Sequence, residues 1–326
     1  MCEREPCRSV RRQGTHSSCS KGEKKMGERI GFIGLGAMGL PMSKNVVRKG
    51  YAVTAYDIAK PRLDELVQFG AKAAASAKEV AEQSDIMITM VPSSPHAREA
   101  ILGEKGVIKG IAQGAVVIDM STIDPVTTRE ISAALASKGV KMLDAPVVRG
   151  VRGATEGTLA IYVGGEPEVF EKCKPLLSAM GTDIEYCGGT GAGEIVKLIN
   201  NLLIAVSMCS LAEGLVLGVK AGVDPAVLFK TLSKGSANSF VLQNHVKNFV
   251  MKGNFAEGVF PVDYIMKDLN LAMVTADKYH IPQYFGSLAY QAYEAARAAG
   301  YSKQYYPAVI QVMEKLAGVE VRGKTE

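Results

Sequence analysis

A glycine-rich turn between an apolar run and a helical segment constrains the fold of this sequence most. It follows the strand-like run Arg29–Gly34 and has the spacing G-x-G-x-x-G, in the residues Gly34-Leu35-Gly36-Ala37-Met38-Gly39. Between a strand and a helix, the first glycine allows a tight turn and the second lets the backbone approach a pyrophosphate. The third lets the helix pack closely on the strand. The helix start adds unpaired N–H groups and a positive dipole end. The pattern predicts a dinucleotide-binding βαβ unit.

An acidic residue ends the next strand. Asp57 follows the run Ala52–Tyr56, 23 residues after Gly34. A carboxylate at this position accepts hydrogen bonds from an adenosine ribose and repels a 2′-phosphate, which favours NAD over NADP. Lys60 and Arg62 lie close by and keep NADP open as an alternative.

Strand-like and helix-like segments alternate along the first half of the chain. The apolar runs are continuous, which is typical of strands buried on both faces of a parallel sheet. The predicted strands are Arg29–Gly34, Ala52–Tyr56, Asp85–Val91, Ala115–Asp119, Lys141–Ala145, Leu159–Val163 and Asp183–Cys187. From residue 193 onward the patterns are helical. We therefore predict an α/β fold, with a Rossmann-type doubly wound sheet over residues 27–190 and an all-α domain over residues 191–326.

The net charge of +5 belongs mostly to one end of the chain. Residues 1–25 hold seven basic and three acidic side chains, and three of the six cysteines. We predict that residues 1–26 form a disordered basic tail. The rest is almost neutral, which argues against a nucleic-acid partner, and its cysteines form no disulfide framework or metal-binding spacing. The sequence predicts no metal site.

One segment, Leu198–Val219, has the length of a membrane span but contains several polar residues. We interpret it as a core helix of a protein with no membrane partner and predict a cytoplasmic location. Its apolar surface exceeds what one small domain covers, which predicts a homodimer or homotetramer.

A lysine and two carboxamides share one face at the beginning of the longer helical pattern Glu194–Lys220. Lys197 is three residues from Asn200 and four from Asn201, so all three side chains lie on the same side. Burial lowers the pKa of a lysine toward the range useful for proton transfer. The alternative is a lysine at a solvated helix start, with asparagines bonded to another helix.

Ligands of open parallel sheets collect at the carboxyl ends of the strands. The segments expected there are Val91-Pro92-Ser93, Ser121-Thr122 and Pro146–Gly150.

The sequence resembles the β-hydroxyacid dehydrogenase family over nearly all of residues 27–321. This family includes 3-hydroxyisobutyrate dehydrogenase, 2-hydroxy-3-oxopropionate (tartronate semialdehyde) reductase and 2-(hydroxymethyl)glutarate dehydrogenase. The resemblance rests on four blocks in the family's order: Gly31–Met42, the D-M-S-T of Asp119–Thr122, the D-A-P-V of Asp144–Val147, and the G-x-x-x-K-x-x-N-N of Gly193–Asn201.

The resemblance implies specific roles. Lys197 is the expected proton donor and acceptor, and Asn201 is expected to contact the substrate with Asn200 behind it. Thr122 is expected beside the nicotinamide and the acid end of the substrate, and Lys267, which precedes Asp268, at the cofactor. The implied activity is a reversible NAD(P)-dependent conversion of a short-chain hydroxy acid and its semialdehyde. The implied partner is a small anionic substrate.

One block departs from the family pattern. Where the family reads D-A-P-V-S-G-G, this chain has Val148-Arg149-Gly150 after Val147. We expect this turn to bind the acid end of the substrate, either through its backbone or through the Arg149 guanidinium. An arginine here resembles some sulfolactaldehyde reductases, so a 2-(hydroxymethyl)glutarate or sulfonated-aldehyde reductase is the alternative. A further alternative is a non-catalytic dinucleotide-binding scaffold. Loss of the lysine or of the glycine turn would indicate it, and because both are present this alternative is remote.

Overall fold

A computed structural model describes residues 27–258 and 260–324, so the predicted tail lies outside the described residues. Nine strands form one sheet. They are β1 (Arg29–Ile33), β2 (Ala52–Tyr56), β3 (Lys72–Ala73), β4 (Ile86–Thr89), β5 (Val116–Asp119), β6 (Lys141–Asp144), β7 (Val147–Val148), β8 (Leu159–Gly165) and β9 (Gly181–Gly188).

Helices lie between the strands and make up the second half of the chain. The α-helices are α1 (Gly39–Arg48), α2 (Lys60–Gln68), α3 (Ala77–Glu82), α4 (Ser94–Leu102), α5 (Pro125–Ala136), α6 (Gly150–Glu156), α7 (Pro167–Leu177), α8 (Ala192–Lys220), α9 (Pro225–Leu232), α10 (Val262–Lys278), α11 (Tyr284–Ala298) and α12 (Ile310–Ala317). A π-helix spans Val241–Val250, and short 3₁₀ helices span Val107–Lys109 and Tyr306–Val309.

The strand order is β3-β2-β1-β4-β5-β6-β8, with β7 and β9 also paired to β8. The pairs from β3 to β6 are parallel, so the carboxyl ends of β1, β4, β5 and β6 meet at one edge. The Rossmann-type prediction for this half is confirmed.

The predicted parallel pairing holds from β3 to β6, and β8 departs from it. This strand runs antiparallel to β6 and β7, which makes the sheet mixed. The connection from β7 to β8 holds only the short helix α6, and a parallel return needs a longer crossover. The two-residue strands β3 and β7 are too short to show a periodicity and were not predicted.

Two groups of buried side chains correspond to the two halves of the chain. The sheet has apolar cores on both faces, and a separate helical core surrounds α8. The change from sheet to helices falls between Gly188, where β9 ends, and Ala192, where α8 begins. The domain bounds 27–190 and 191–326 stay a prediction.

Helix α8 is the axis of the helical half. It packs against α10, α11 and α12 on one side. Of the helices in the described part of the chain, it is the one whose length and composition would suit a membrane span, although 28% of its most apolar window is buried. Its opposite side exposes Val196, Ile199, Leu203 and Leu217. The helix is therefore a core helix that is buried on one side only.

Candidate active site

The glycine turn has the geometry that its spacing predicts. Gly34 has a φ of +90°, and a Cβ atom there would lie 2.2 Å from the carbonyl oxygen of Met90. A Cβ atom on Gly39 would lie 1.9 Å from the carbonyl oxygen of Gly34. Neither position tolerates a side chain, because β1, β4 and α1 approach too closely there.

The middle glycine faces a different environment. A Cβ atom built on Gly36 would meet no heavy atom within 4 Å. No side chain caps α1 at Met38. The Leu40 amide donates to the Gly36 carbonyl at 3.1 Å, while the amides of residues 37–39 have no partner among the described residues and are left to a ligand or solvent. Ala37 is exposed beside this space, while Leu35 is fully buried beneath it. An open space beside uncapped amides fits the pyrophosphate of a dinucleotide.

Asp57 is tied to the glycine turn. One carboxyl oxygen accepts the Leu35 amide at 2.5 Å, and the other accepts the Ala59 amide at 2.6 Å. The Arg62 guanidinium donates to the Leu35 carbonyl at 3.3 Å. The carboxylate is therefore fixed at the carboxyl end of β2, beside the pyrophosphate cradle.

A lysine from the helical half reaches the carboxyl ends of β4 and β5. Lys267 of α10 donates to the Thr122 carbonyl at 2.9 Å and lies 3.5 Å from the Pro92 carbonyl. Val91 is held in the same loop by the Ser121 hydroxyl, which accepts its amide at 2.9 Å. This contact brings the predicted residues Val91, Pro92, Thr122 and Lys267 to one place.

A buried polar network continues from α10 to α8. Lys197 donates from Nζ to Oδ1 of Asn201 at 3.2 Å, and Asn200 donates to the same oxygen at 3.0 Å. The Asn201 amide nitrogen donates to Asp268, whose other carboxyl oxygen lies 3.2 Å from Lys267 Nζ. The structure thereby joins Lys197, Asn200 and Asn201 to the loops at the sheet edge.

The environment of Lys197 changes its acidity. Its side chain is only 7% exposed, and burial lowers the pKa of the lysine because the ammonium loses its hydration. The charge of Asp268 opposes this shift. A buried lysine with a lowered pKa and a fixed hydrogen-bond partner can exchange a proton with a reacting group.

Three further acids are fully buried near this network: Asp119 at the end of β5, Asp144 at the end of β6 and Glu194 in the first turn of α8. None of these three acids was among the predicted site residues, and neither was Asp268 of α10. Their signal in the sequence is an acid inside an otherwise apolar or motif-bearing strand or helix.

The turn that departs from the family pattern lies at the start of α6. Arg149 has a φ of +85°, the left-handed region that favours glycine. Its guanidinium donates to the Thr158 carbonyl at 2.8 Å and the Thr182 hydroxyl at 3.2 Å, and pairs with Asp183. Val148 is half-buried and Gly150 is exposed. The structure thus places the Arg149 head group at the beginning of β8 and β9.

An open pyrophosphate cradle next to a buried lysine network is the arrangement of a nicotinamide-dependent oxidoreductase. Comparison with protein families agrees with it. Residues 29–189 match the model of the NAD-binding domain of 6-phosphogluconate dehydrogenase. Residues 191–313 match the NAD-binding model of NADP-dependent 3-hydroxyisobutyrate dehydrogenase.

Individual relatives cover nearly the whole chain. A 2-(hydroxymethyl)glutarate dehydrogenase of Eubacterium barkeri is 41% identical over 90% of this chain and 98% of its own length. The mitochondrial 3-hydroxyisobutyrate dehydrogenase of Mus musculus is 38% identical over 88% of this chain and 87% of its own. A Mycobacterium tuberculosis 3-hydroxyisobutyrate dehydrogenase, solved with L-serine, superposes with a TM-score of 0.82 at 32% identity, covering 88% of this chain and 99% of its own.

This chain belongs to the β-hydroxyacid dehydrogenase family. It is an NAD(P)-dependent oxidoreductase that acts on CH–OH groups of hydroxy acids, and the family predicted from its four sequence blocks is confirmed.

Proposed function

We propose that the protein interconverts a short-chain β-hydroxy acid and its semialdehyde, with Lys197 as the general acid and base. The observation that carries this proposal is the buried Lys197 ammonium bonded to Asn201. In reduction, the Lys197 ammonium polarises the aldehyde and donates a proton to its oxygen. In oxidation, the neutral amine accepts the hydroxyl proton.

Asn201 positions the lysine and the reacting oxygen. Its amide oxygen accepts from Lys197 and Asn200, and one of its two amide hydrogens is donated to Asp268. The second amide hydrogen is available to hold the substrate oxygen next to Lys197 Nζ. Such positioning of reactants is the main contribution of the protein to this kind of reaction.

The cofactor would lie between the glycine turn and the lysine network. The turn residues Gly34–Gly39 would hold the pyrophosphate, and Asp57 the adenosine ribose. Val91, Pro92, Thr122 and Lys267 would line the nicotinamide end. A bound nicotinamide supplies or accepts the hydride. The fixed Asp57 carboxylate supports a preference for NAD over NADP.

Thr122 and the turn Val148-Arg149-Gly150 would hold the acid end of the substrate. The preferred substrates are 2-hydroxy-3-oxopropionate and 3-hydroxyisobutyrate with their oxidised or reduced partners. In the alternative, the Arg149 guanidinium would leave Asp183 to bind a second anionic group, as in 2-(hydroxymethyl)glutarate or a sulfonated aldehyde. A positive φ at a non-glycine residue costs about 1–3 kcal/mol, so a function for this arginine would explain why that conformation is kept.

The protein would act as a soluble cytoplasmic homodimer or homotetramer with domains at residues 27–190 and 191–326. The exposed apolar side of α8 supports self-association, since Leu203 is 59% and Leu217 is 70% exposed.

A substrate screen tests the proposal. The purified protein is assayed with NAD and NADP on 3-hydroxyisobutyrate, glycerate, L-serine, 4-hydroxybutyrate, 2-(hydroxymethyl)glutarate and a sulfonated hydroxy acid. We expect cofactor reduction with at least one β-hydroxy acid, at a higher kcat/KM with NAD than with NADP. Turnover of none of these compounds with either cofactor would refute the proposal.

An Arg149→Gly variant, which also suits the positive φ, separates the two substrate classes. If Arg149 binds a second anionic group, kcat/KM for 2-(hydroxymethyl)glutarate or the sulfonated acid falls about tenfold or more. Activity on 3-hydroxyisobutyrate is then retained. Equal kcat/KM values for the variant and the natural protein on all substrates would remove Arg149 from the site.

A further inference from the structure

A cluster of three buried carboxyl groups lies behind the lysine network, and the mechanism proposed above uses none of them. Asp119 and Asp144 are register partners at the ends of the adjacent parallel strands β5 and β6. The Glu194 amide, in the first turn of α8, donates to Asp144 Oδ2 at 3.1 Å. Within residues 27–258 and 260–324, no set of acidic, histidine or cysteine side chains has the arrangement of a metal site. The chemistry open to these three carboxyl groups is therefore the binding and release of protons.

The hydrogen-bond donors around the cluster are unevenly shared. Asp144 accepts the Gly191 amide at 2.7 Å as well as that of Glu194. Asp119 Oδ1 accepts the Thr89 hydroxyl at 2.8 Å and the Ser121 amide at 3.2 Å. Neither side-chain oxygen of Glu194 has a hydrogen-bond partner among the described residues. Of three adjacent buried carboxyl groups, the one with the weakest set of donors is the costliest to ionise.

The charges around Glu194 lead to the same assignment. Asp119 faces it from β5, Asp144 from β6, Lys267 from α10 and Lys197 from its own helix. Burial raises the pKa of Glu194 well above its ordinary value, and the charges of Asp119 and Asp144 raise it further. The Ile123 backbone amide and the charge of Lys267 oppose the shift only in part. Burial and the neighbouring carboxylates therefore favour the uncharged carboxylic acid form of Glu194.

Glu194 lies close enough along the helix to Lys197 for its proton to serve that lysine. The two residues are three apart on α8, and side chains at that spacing start about 5–6 Å from each other on one face. After donating a proton to the product oxygen, Lys197 is a neutral amine that is shielded from solvent. It needs a proton before the next reduction.

We propose that Glu194 is the internal donor that returns a proton to Lys197 after each reduction, an inference that rests on the function proposed above for Lys197. The O–H bond of the Glu194 carboxyl breaks and an N–H bond forms at Lys197 Nζ, which leaves a carboxylate and an ammonium. The carboxylate regains a proton from solvent when product leaves. Glu194 acts through Lys197, so it is a positioning residue for the proton and not a catalytic one.

The protonation state is tested without reference to activity. Infrared difference spectra between H₂O and D₂O are recorded for the full chain, for Glu194→Gln and for the exposed control Glu168→Gln. We expect the C=O stretch of a buried carboxylic acid near neutral pH in the natural protein and the control, and its loss in Glu194→Gln. A spectrum without this band, or a band that survives in Glu194→Gln, overturns the proposal.

Rapid-mixing kinetics test the proton return. The first reduction uses the proton already on Lys197, so Glu194→Gln keeps the rate of the first turnover. Its steady-state kcat falls about tenfold or more, because every later turnover waits for a proton from solvent. The pH dependence of kcat, but not that of the first turnover, shifts toward lower pH.

Each contrary outcome of the kinetic test is informative. Parallel losses in the first turnover and the steady state mean that Glu194 serves the architecture of the site only. Unchanged values for both mean that it returns no proton. A Lys197→Ala variant with a normal first turnover refutes the function proposed for Lys197 and leaves the infrared result intact, so the two failures are distinguishable.

Discussion

At the scale of single residues, the Asn201 carboxamide is the link between the reactive lysine and the rest of the site. Its oxygen accepts from Lys197 and its nitrogen donates to Asp268 on a different helix. The orientation of the amide is fixed because a reversed amide would place its nitrogen against the lysine and its oxygen against the carboxylate. Asp268 thereby determines which end of the Asn201 carboxamide faces Lys197.

We expect Asp268→Asn to weaken catalysis and to move its pH dependence. The substitution removes a negative charge that raises the pKa of Lys197, so this pKa falls further below that of a free lysine. In the oxidation direction, where neutral Lys197 is needed, the rise of kcat/KM with pH moves to lower pH. The maximal kcat/KM falls about tenfold or more with the loss of the charge-assisted hydrogen bond.

The control for this variant is Asp277→Asn, an exposed carboxylate on the same helix. Its pH profile and kcat/KM are expected to match those of the natural protein. A shift of the Asp268→Asn profile toward higher pH would contradict the electrostatic role assigned to Asp268.

The sequence predicted the residues of the site where spacing within one element suffices. Lys197 and Asn201 lie four apart on one helix, and helical geometry places them together. The partners of this pair were less accessible, since Asp268 is 67 residues away from Asn201 and their contact depends on how α10 packs on α8. The pairing of Arg149 with Asp183 depends in the same way on a sheet edge that the sequence does not reveal.

At the scale of elements, strands buried on both faces were predictable and their directions were not. The predicted run Lys141–Ala145 matches β6 to one residue, because an apolar run between polar flanks marks a buried strand. The reversal at β8 depends on the short connection through α6. The π-helix Val241–Val250 has the apolar pattern of an ordinary helix, so its wider turn was not predicted either.

We expect the π-helix to make the helical half sensitive to acid. His245 lies among the rings of Phe249, Tyr305 and Tyr306, and its Nδ1 is 2.7 Å from the Tyr305 hydroxyl. Burial lowers the pKa of His245 to about 4, so the unfolded chain binds a proton that the folded chain resists. The free energy of unfolding therefore falls as pH drops from about 6.5 to about 4, by at most about 3 kcal/mol.

Denaturant unfolding at pH 7.5 and pH 5 measures this effect. A His245→Gln variant has no imidazole to protonate, so its stability is expected to change less between the two pH values. If the natural protein and the variant lose the same stability, acid sensitivity comes from other groups and the assignment to His245 fails.

At the scale of the whole molecule, an apolar surface on the helical half supports the proposed association of two or more copies. It consists of Val196, Ile199 and Leu203 on α8, on the side opposite to α10, α11 and α12. The three α8 residues follow one another at helical spacing and form one stripe. A stripe of this kind, exposed to water in a single copy, favours association with a second copy.

We expect Leu203→Glu to shift the protein toward the monomer. A charged carboxylate would be buried without a partner in the proposed contact between copies, which costs several kcal/mol. Sedimentation velocity of the natural protein at micromolar concentration should give a dimer or tetramer, and the variant a species of about 35 kDa.

The control Val67→Glu places the same charge on an exposed apolar position of α2 in the other half of the chain. It should leave the association state unchanged. A natural protein that sediments as a monomer would contradict the proposed contact.

The buried Lys197 is central to the proposed function, and one comparison of two proteins tests its role directly. Lys197→Ala and the natural protein are titrated with NADH by fluorescence and then assayed for turnover of the best substrate from the screen. We predict that cofactor affinity stays within about twofold, while kcat falls by a factor of about 10²–10⁴, because the proton donor is lost and the cradle is not. Near-normal turnover by a Lys197→Ala protein that binds NADH normally would contradict the account.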